Sequence, residues 1–248
     1  KYNGTSWVQL GTNLVGNEVN GLGTGFGTST ALSDDGTILA VSAPDVNNSY
    51  VKIFRYLNKT DAWVQIGSTL ERSGTNYQAV NYPDIFGSAQ GFGTSSISMS
   101  SDGYTLAIGL RDGSSTASNK ESAVVVMNYN GSDWDVLGSL IKDGSTDINE
   151  YANQVSLSSN GKKIAIGAYA NKENGNGSGK VRVLEYNGND WLQIGKNILG
   201  EAAQDHFGHS VSLSNDGKVM VSGSKYNDEN GTDSGNVRIY RYVTDNEL

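Results

Sequence analysis

His206 and His209 stand three residues apart in "DHFGHS" and are the only imidazoles in this chain of 248 residues. A Ser–His–Asp arrangement could be drawn around them, with one ring as general base toward a hydroxyl. Both, however, flank a Phe-Gly pair at the entrance to a strand, which assigns them a packing or surface role. Two histidines also fall short of the three protein ligands a zinc site needs. The 26 Asp and Glu residues could supply paired carboxylates for glycoside hydrolysis. Asp143, Asp147 and Glu150 are the acids to mutate should a hydrolytic activity be detected, and retained activity would clear that cluster. The glycine-rich "GLGTGFG" from Gly21 to Gly27 lacks both the following helix and the lysine of a phosphate loop. These residues give no catalytic constellation, and the expected answer to whether the chain is an enzyme is no.

Composition narrows the partners. A net charge of −8 leaves no Lys/Arg field for nucleic acid or for anionic lipid. No apolar run is long enough to insert into a membrane. With no cysteine, disulfides and thiolate metal sites are excluded. Six N-x-[S/T] sequons occur, at Asn3, Asn47, Asn58, Asn130, Asn176 and Asn230. An Asn-, Ser- and Thr-rich chain gives about that number by chance, so placement carries the weight. All six fall in expected loops, where an N-linked glycan can be attached. Asn3, Asn58 and Asn130 belong to one face, and Asn47, Asn176 and Asn230 to the other.

The elements that position these residues repeat. "FGTSTALSDDGTILAVSA" from Phe26 returns as "FGTSSISMSSDGYTLAIG" from Phe92 and "FGHSVSLSNDGKVMVSGS" from Phe207, with a worn copy, "YANQVSLSSNGKKIAIGA", from Tyr151. Each copy begins with an alternating strand and a turn at Asp35-Gly36, Asp102-Gly103, Asn160-Gly161 or Asp216-Gly217. Those dipeptides tolerate the positive φ of a tight hairpin. A nearly unbroken apolar strand follows, of the kind covered on both faces. A third strand ends in Tyr ("YVKIFRY", "AVVVMNY", "KVRVLEY", "NVRIYRY"), and a fourth opens on Trp ("WVQLG", "WVQIG", "WDVLG", "WLQIG").

Trp7, Trp63, Trp134 and Trp191 are the only tryptophans, with spacings of 56, 71 and 57 residues. The long step carries the insertion "ERSGTNYQAVNYPDIFGSAQ". Nothing shows a helical period. A lone four-stranded meander leaves both faces wet, and radial repetition covers them, so the expected fold is an all-β propeller of four four-stranded antiparallel blades. The Trp rings would fill the wedges between blades.

One domain is expected over residues 1–248, with repeats at about 26–67, 92–138, 152–195 and 207–242 plus 1–11. The Trp7 strand is a fourth strand without its first three, and "NVRIYRY" is a third strand without its fourth. The N-terminal strand therefore completes either the last blade or a blade of a neighbouring module.

These residues resemble the FG-GAP repeats of integrin-α-type β-propellers. The FG pair stands at Phe26-Gly27, Phe92-Gly93 and Phe207-Gly208. The GAP element survives as Ser42-Ala43-Pro44 and Gly167-Ala168-Tyr169, and the closing G-x-V-x-V-Y pattern runs from Gly179 to Leu184 and from Gly235 to Tyr240. The resemblance implies calcium in the first hairpin, but "SDDGT", "SSDGY", "SSNGK" and "SNDGK" hold too few oxygens for the six to eight ligands calcium takes. No cofactor is expected, with weak Ca2+ binding as the minor alternative. The acidic loops "NKENGNGSG" (Asn171 to Gly179) and "NDENGTDSG" (Asn227 to Gly235) read as flexible and solvated.

The functional expectation is a non-catalytic, extracellular, glycosylated structural or adhesive module. It would build a cell-surface layer or filament, such as a flagellar-hair-like appendage, through self-assembly or contact with neighbouring modules. The alternative is a carbohydrate- or protein-binding, lectin-like propeller.

Overall fold

The computed structural model describes residues 2, 4–16, 18–19, 22–44, 49–71, 96–110, 123–142 and 154–243. Phe92-Gly93, Asn3, Asn47 and the acids Asp143, Asp147 and Glu150 lie outside them, as does almost all of the long insertion.

A small hairpin, β1 (Glu18–Val19) with β2 (Leu22–Gly23), leads into the first blade. That blade is β3 (Thr30–Leu32), β4 (Ile38–Ala43), β5 (Tyr50–Leu57) and a fourth strand broken into β6 (Ala62–Gln65) and β7 (Leu70–Glu71). The second has β8 (Ile97–Met99), β9 (Thr105–Leu110), β10 (Ala123–Tyr129) and again a broken fourth strand, β11 (Trp134–Val136) with β12 (Ile141–Lys142). The third runs β13 (Gln154–Leu157), β14 (Lys163–Ala168), β15 (Lys180–Tyr186) and β16 (Trp191–Leu199). The fourth holds β17 (Phe207–Leu213), β18 (Val219–Ser224) and β19 (Asn236–Arg241). Pairing is antiparallel throughout each sheet, and no described residue is helical.

Gly36, Gly103, Gly161 and Gly217 take φ between +66° and +77°, a region other L-residues enter at a cost. The residue before each glycine caps its own hairpin. Asp35 accepts from the Ser33 hydroxyl and Thr37 N–H, Asp102 from Ser100 and Tyr104, Asn160 from Ser158 and Lys162, and Asp216 from Ser214 and Lys218.

Three apolar clusters lie between successive sheets. The first joins Val51 and Ile53 to Val125, Met127 and Trp134. The second joins Val124 and Val126 to Leu157, Ile164 and Trp191, and the third joins Ala165 and Val181 to Phe207, Leu213 and Met220. Every residue of β9 is buried, whereas β18 alternates buried and half-buried. Position by position, Val51, Val124 and Val181 are 0% exposed, and their counterpart Val237 is 66% exposed. The fourth blade is covered on one face and open on the other.

Among the described residues β19 pairs only with β18. The Trp7 segment lies at the opposite end of the stack, against the first blade, where Leu10 O accepts the Trp63 indole N–H at 3.1 Å and Gly11 N–H donates to Asp61.

Candidate functional site

The repeated residues converge on the joints between blades, and the same devices recur from one joint to the next. The indole N–H of Trp63 reaches Leu10 O, that of Trp134 reaches Ile66 O at 3.3 Å, and that of Trp191 reaches Leu137 O at 2.8 Å. Each acceptor is the residue before the glycine of the preceding W-x-x-x-G segment. That glycine must be bare. A Cβ at Gly67 would stand 2.6 Å from Trp134 Cδ1, and one at Gly138 would stand 2.9 Å from Trp191 Cδ1. Each indole also tilts against the Tyr that ends its own third strand: Tyr56–Trp63 at 5.3 Å, Tyr129–Trp134 at 5.3 Å and Tyr186–Trp191 at 5.4 Å. Trp134 and Trp191 are 6% and 7% exposed. Trp7 is 83% exposed, and among the described residues its ring meets that of Tyr2.

A carboxylate reinforces the joint. Asp61, Asp133 and Asp190 accept from the main-chain N–H of Gly11, Ser68 and Ser139 in the preceding segment. Tyr56 donates to Asp61 and, with Gly11, holds it below the ordinary value of 3.8. The Ser139 and Trp191 N–H groups do the same for Asp190. Burial works the other way at Asp133, but the Ser68 N–H and hydroxyl and the Trp134 N–H outweigh it.

Two further ladders run through the inner strands. Ser29 Oγ accepts from Ile97 N–H, Ser96 from Val155, Ser98 from Leu157 and Ser156 from Leu213. At the hairpins Asp34 N–H donates to Ser101 O, Ser101 to Ser159 and Ser159 to Asn215. Sequence reasoning missed both. For the first ladder the signal is serine at alternate positions, as in "SISMS" and "SLS"; the hairpin ladder joins main-chain groups and leaves no residue signature.

The FG and GA elements meet at the third joint. Phe207 is fully buried beneath the Arg238 guanidinium, 4.0 Å from the ring centroid. Its peptide passes so close to Gly179 that a Cβ there would lie 2.0 Å from Phe207 O. Gly208 likewise presses on Gly167 and Lys180 O. Close backbone approach, and not catalysis, explains these glycines.

The candidates for chemistry are placed as follows. His206 sits between Tyr169 and Tyr226 at 5.1 and 5.0 Å, and His209 beside Tyr169 at 5.4 Å. Burial holds both imidazoles below 6.5, with His209 and Lys225 adding to the effect at His206 and Lys225 at His209. They are packing residues in an aromatic cluster. The hairpin carboxylates Asp35 and Asp216 are held low by the Thr37 N–H and the Ser214 hydroxyl respectively, so their oxygens already have donors. Among the described residues no three His, Asp or Glu side chains are grouped to hold a metal ion.

The loops at Asn171–Gly179 and Asn227–Gly235 are not the loose, solvated loops the sequence suggested. Asn171 is 0% and Asn227 5% exposed. Each asparagine accepts from the N–H two residues on, and its carbonyl accepts from the closing glycine. The shared pattern N-x-E-N-G-x-x-S-G encodes a folded turn. Asn176 and Asn230 project from these loops and are exposed. Asn58 and Asn130 are exposed in the turns between third and fourth strands, at the other end of the blades.

This arrangement of meander sheets, joined face to face by repeated residues, is that of a β-propeller with FG-GAP-like repeats. Residues 200–240 match the FG-GAP repeat family. Among solved structures, the periplasmic gluconolactonase PpgL of Pseudomonas aeruginosa superposes with a TM-score of 0.50 at 14% identity, over 88% of this chain and 58% of that one. The Kuenenia stuttgartiensis hydrazine synthase gives 0.49 at 15% identity, over 87% and 58%. The Dos1 propeller gives 0.49 at 17%, over 87% and 48%. At such identities the likeness concerns the fold alone. The chain spans well under two thirds of each of these structures. No curated protein matches it. No described helix is long and apolar enough to cross a membrane.

Proposed function

We propose that this chain is a non-catalytic structural or adhesive propeller module, displayed at the cell surface and carrying N-linked glycans, that serves as a building unit of a surface layer or filament. One observation carries the reading. The residues that repeat, and so define the module, are the ones that hold blade to blade: the indole N–H, the serine hydroxyls and the aspartates each have a partner in the adjoining blade. A unit whose repeated chemistry is all cohesion fits a scaffold better than a reaction centre. The sequons at Asn58, Asn130, Asn176 and Asn230 lie in exposed turns at both ends of the blades, leaving the faces of the terminal blades for contact with neighbours.

Immunogold labelling of intact source cells, with a mobility shift after glycan removal, tests this. Label on the surface and a shift support it. An unglycosylated protein confined to the cell interior would overturn it.

A further inference from the structure

One side-chain cluster in the third blade follows no pattern of the repeat. Lys180, the first residue of β15, is 4% exposed, a depth lysine almost never reaches unless paired. The other blades have Tyr50, Ala123 and Asn236 at the same register position, opposite the end of the second strand. The Lys180 Nζ lies 3.4 Å from Glu173 Oε2. The same oxygen accepts from Asn197 Nδ2 at 2.9 Å, so an amine and an amide meet on one carboxylate. Asn197 stands on β16 two residues from Leu199, the register partner of Lys180. Its carbonyl is engaged as well, for Oδ1 accepts from Gln193 Nε2 at 3.0 Å. The folded loop at Asn171–Gly179 fixes the carboxylate. There the Glu173 N–H donates to Asn171 Oδ1, and Asn174 Nδ2 donates to Gly200 O and Glu201 O.

These are the parts of an amide-forming reaction. Lys180 supplies a nucleophilic nitrogen and Asn197 an electrophilic carbon. Gln193 donates to the oxygen on which negative charge develops, and Glu173 touches both nitrogens. We propose that Lys180 and Asn197 join in an intramolecular isopeptide bond, with Glu173 carrying the protons. Glu173 first takes a proton from the Lys180 ammonium, leaving a free amine and a neutral acid. The amine attacks Asn197 Cγ, and the Nζ–Cγ bond forms as the Cγ–Nδ2 bond breaks. Glu173 gives its proton to the departing nitrogen and takes the second proton from Nζ, so ammonia leaves. The acid then passes that proton to the ammonia, and no oxidant or reductant is consumed. Holding the three groups on adjacent strands and one loop replaces a chance encounter by proximity.

The bond would tie β15 to β16 where their ladder is interrupted, beside the register shift between Val181 and Val183. In the fourth blade the matching acid, Glu229, reaches Asn236, which carries no amine. Tyr50 and Ala123 likewise offer no nucleophile of this kind, so among the described residues the site is peculiar to the third blade.

The test is mass spectrometry of the full chain, produced in a host that adds no glycan. The intact mass should fall short of the sequence by one ammonia. Trypsin should fail to cut after Lys180 and should yield a branched peptide joining residues 173–182 to residues 197–218. Lys180→Arg and Glu173→Gln should each keep the full mass and give linear peptides, the first for want of the nucleophile and the second for want of the proton carrier. Asn197→Asp should give the same branched peptide by losing water in place of ammonia. Cooperative melts, lower than that of the linked chain, establish that the variants are folded. A chain of full mass, cut normally after Lys180, overturns the proposal. So does an ammonia deficit that maps to an Asn-Gly pair. A branched peptide that persists in Glu173→Gln overturns the role of Glu173. Surface labelling of source cells reads out none of this, so the link and the module reading can fail separately.

Discussion

The four tryptophans occupy equivalent positions in the repeat and should differ sharply in what they contribute to the folded monomer. Trp191 is 7% exposed, wedged between the second and third blades, and donates to Leu137 O at 2.8 Å. Truncating it to alanine removes a large buried ring and leaves a cavity, at a cost of about 3–5 kcal/mol. For a domain of this size each kcal/mol lowers Tm by roughly 2–4 °C, so the melt should move down by ~10 °C or more. Trp191→Phe keeps most of the wedge but removes the donor, and the orphaned carbonyl should cost about 1 kcal/mol. Trp134→Ala should match Trp191→Ala. Trp63, half-buried, should fall between. Trp7→Ala should stay within about 0.5 kcal/mol of the unaltered chain, as an exposed substitution does. The assay is urea unfolding and calorimetry at low concentration, with the m-value compared across variants so that loss of stability is separated from loss of cooperativity. Equal costs at all four positions, or a Trp191→Ala cost below about 1 kcal/mol, would falsify the wedge argument.

Gly138→Ala and Gly195→Ala share a left-handed backbone, at φ +76° and +71°, but only the first drives a methyl against the indole of the next blade. Calorimetry should find Gly138→Ala the more destabilising by about 1–3 kcal/mol, the range of overpacking. Ser156→Ala removes the acceptor of Leu213 N–H and should cost about 1–3 kcal/mol, with faster hydrogen exchange at the Leu213 amide. Stability should be level from pH 7 up to the alkaline range where Tyr56 and Lys225 titrate, and fall in two stages as pH drops. His206 and His209 titrate below 6.5 when folded, so protonation is disfavoured by folding and stability declines as pH falls from 6.5 toward their folded values. Asp35, Asp61, Asp133, Asp190 and Asp216 are depressed below 3.8, so their contribution is complete above 3.8 and is lost as pH falls through the folded values. Replacing the imidazoles (His206→Asn with His209→Gln) should erase the first stage in a pH series of melts and leave the second. Millimolar calcium or EDTA should leave Tm unchanged within a degree, because a bound ion would raise it.

What was legible in the sequence was local. Asp-Gly and Asn-Gly dictate hairpins through the φ they tolerate, and period-two alternation beside unbroken apolar runs separates the first strand of each repeat from the second. One Trp per repeat announces a wedge, and these short-range signals gave an all-β propeller with strands at nearly the observed positions. Loop order was harder to read. Asn171 and Asn227 look like polar loop residues until their side chains are seen buried and capping the next turn.

The bonds between blades could not be read at all, since Trp191 meets Leu137 and Leu213 meets Ser156 only after separate sheets have been laid face to face. A fourth strand that begins with Trp specifies that some groove will hold it, because the indole needs both an apolar wedge and a carbonyl. The sequence carries that requirement in five residues. Which groove receives which indole is decided by the stacking of whole blades, where burial is a property of the neighbour and not of the residue.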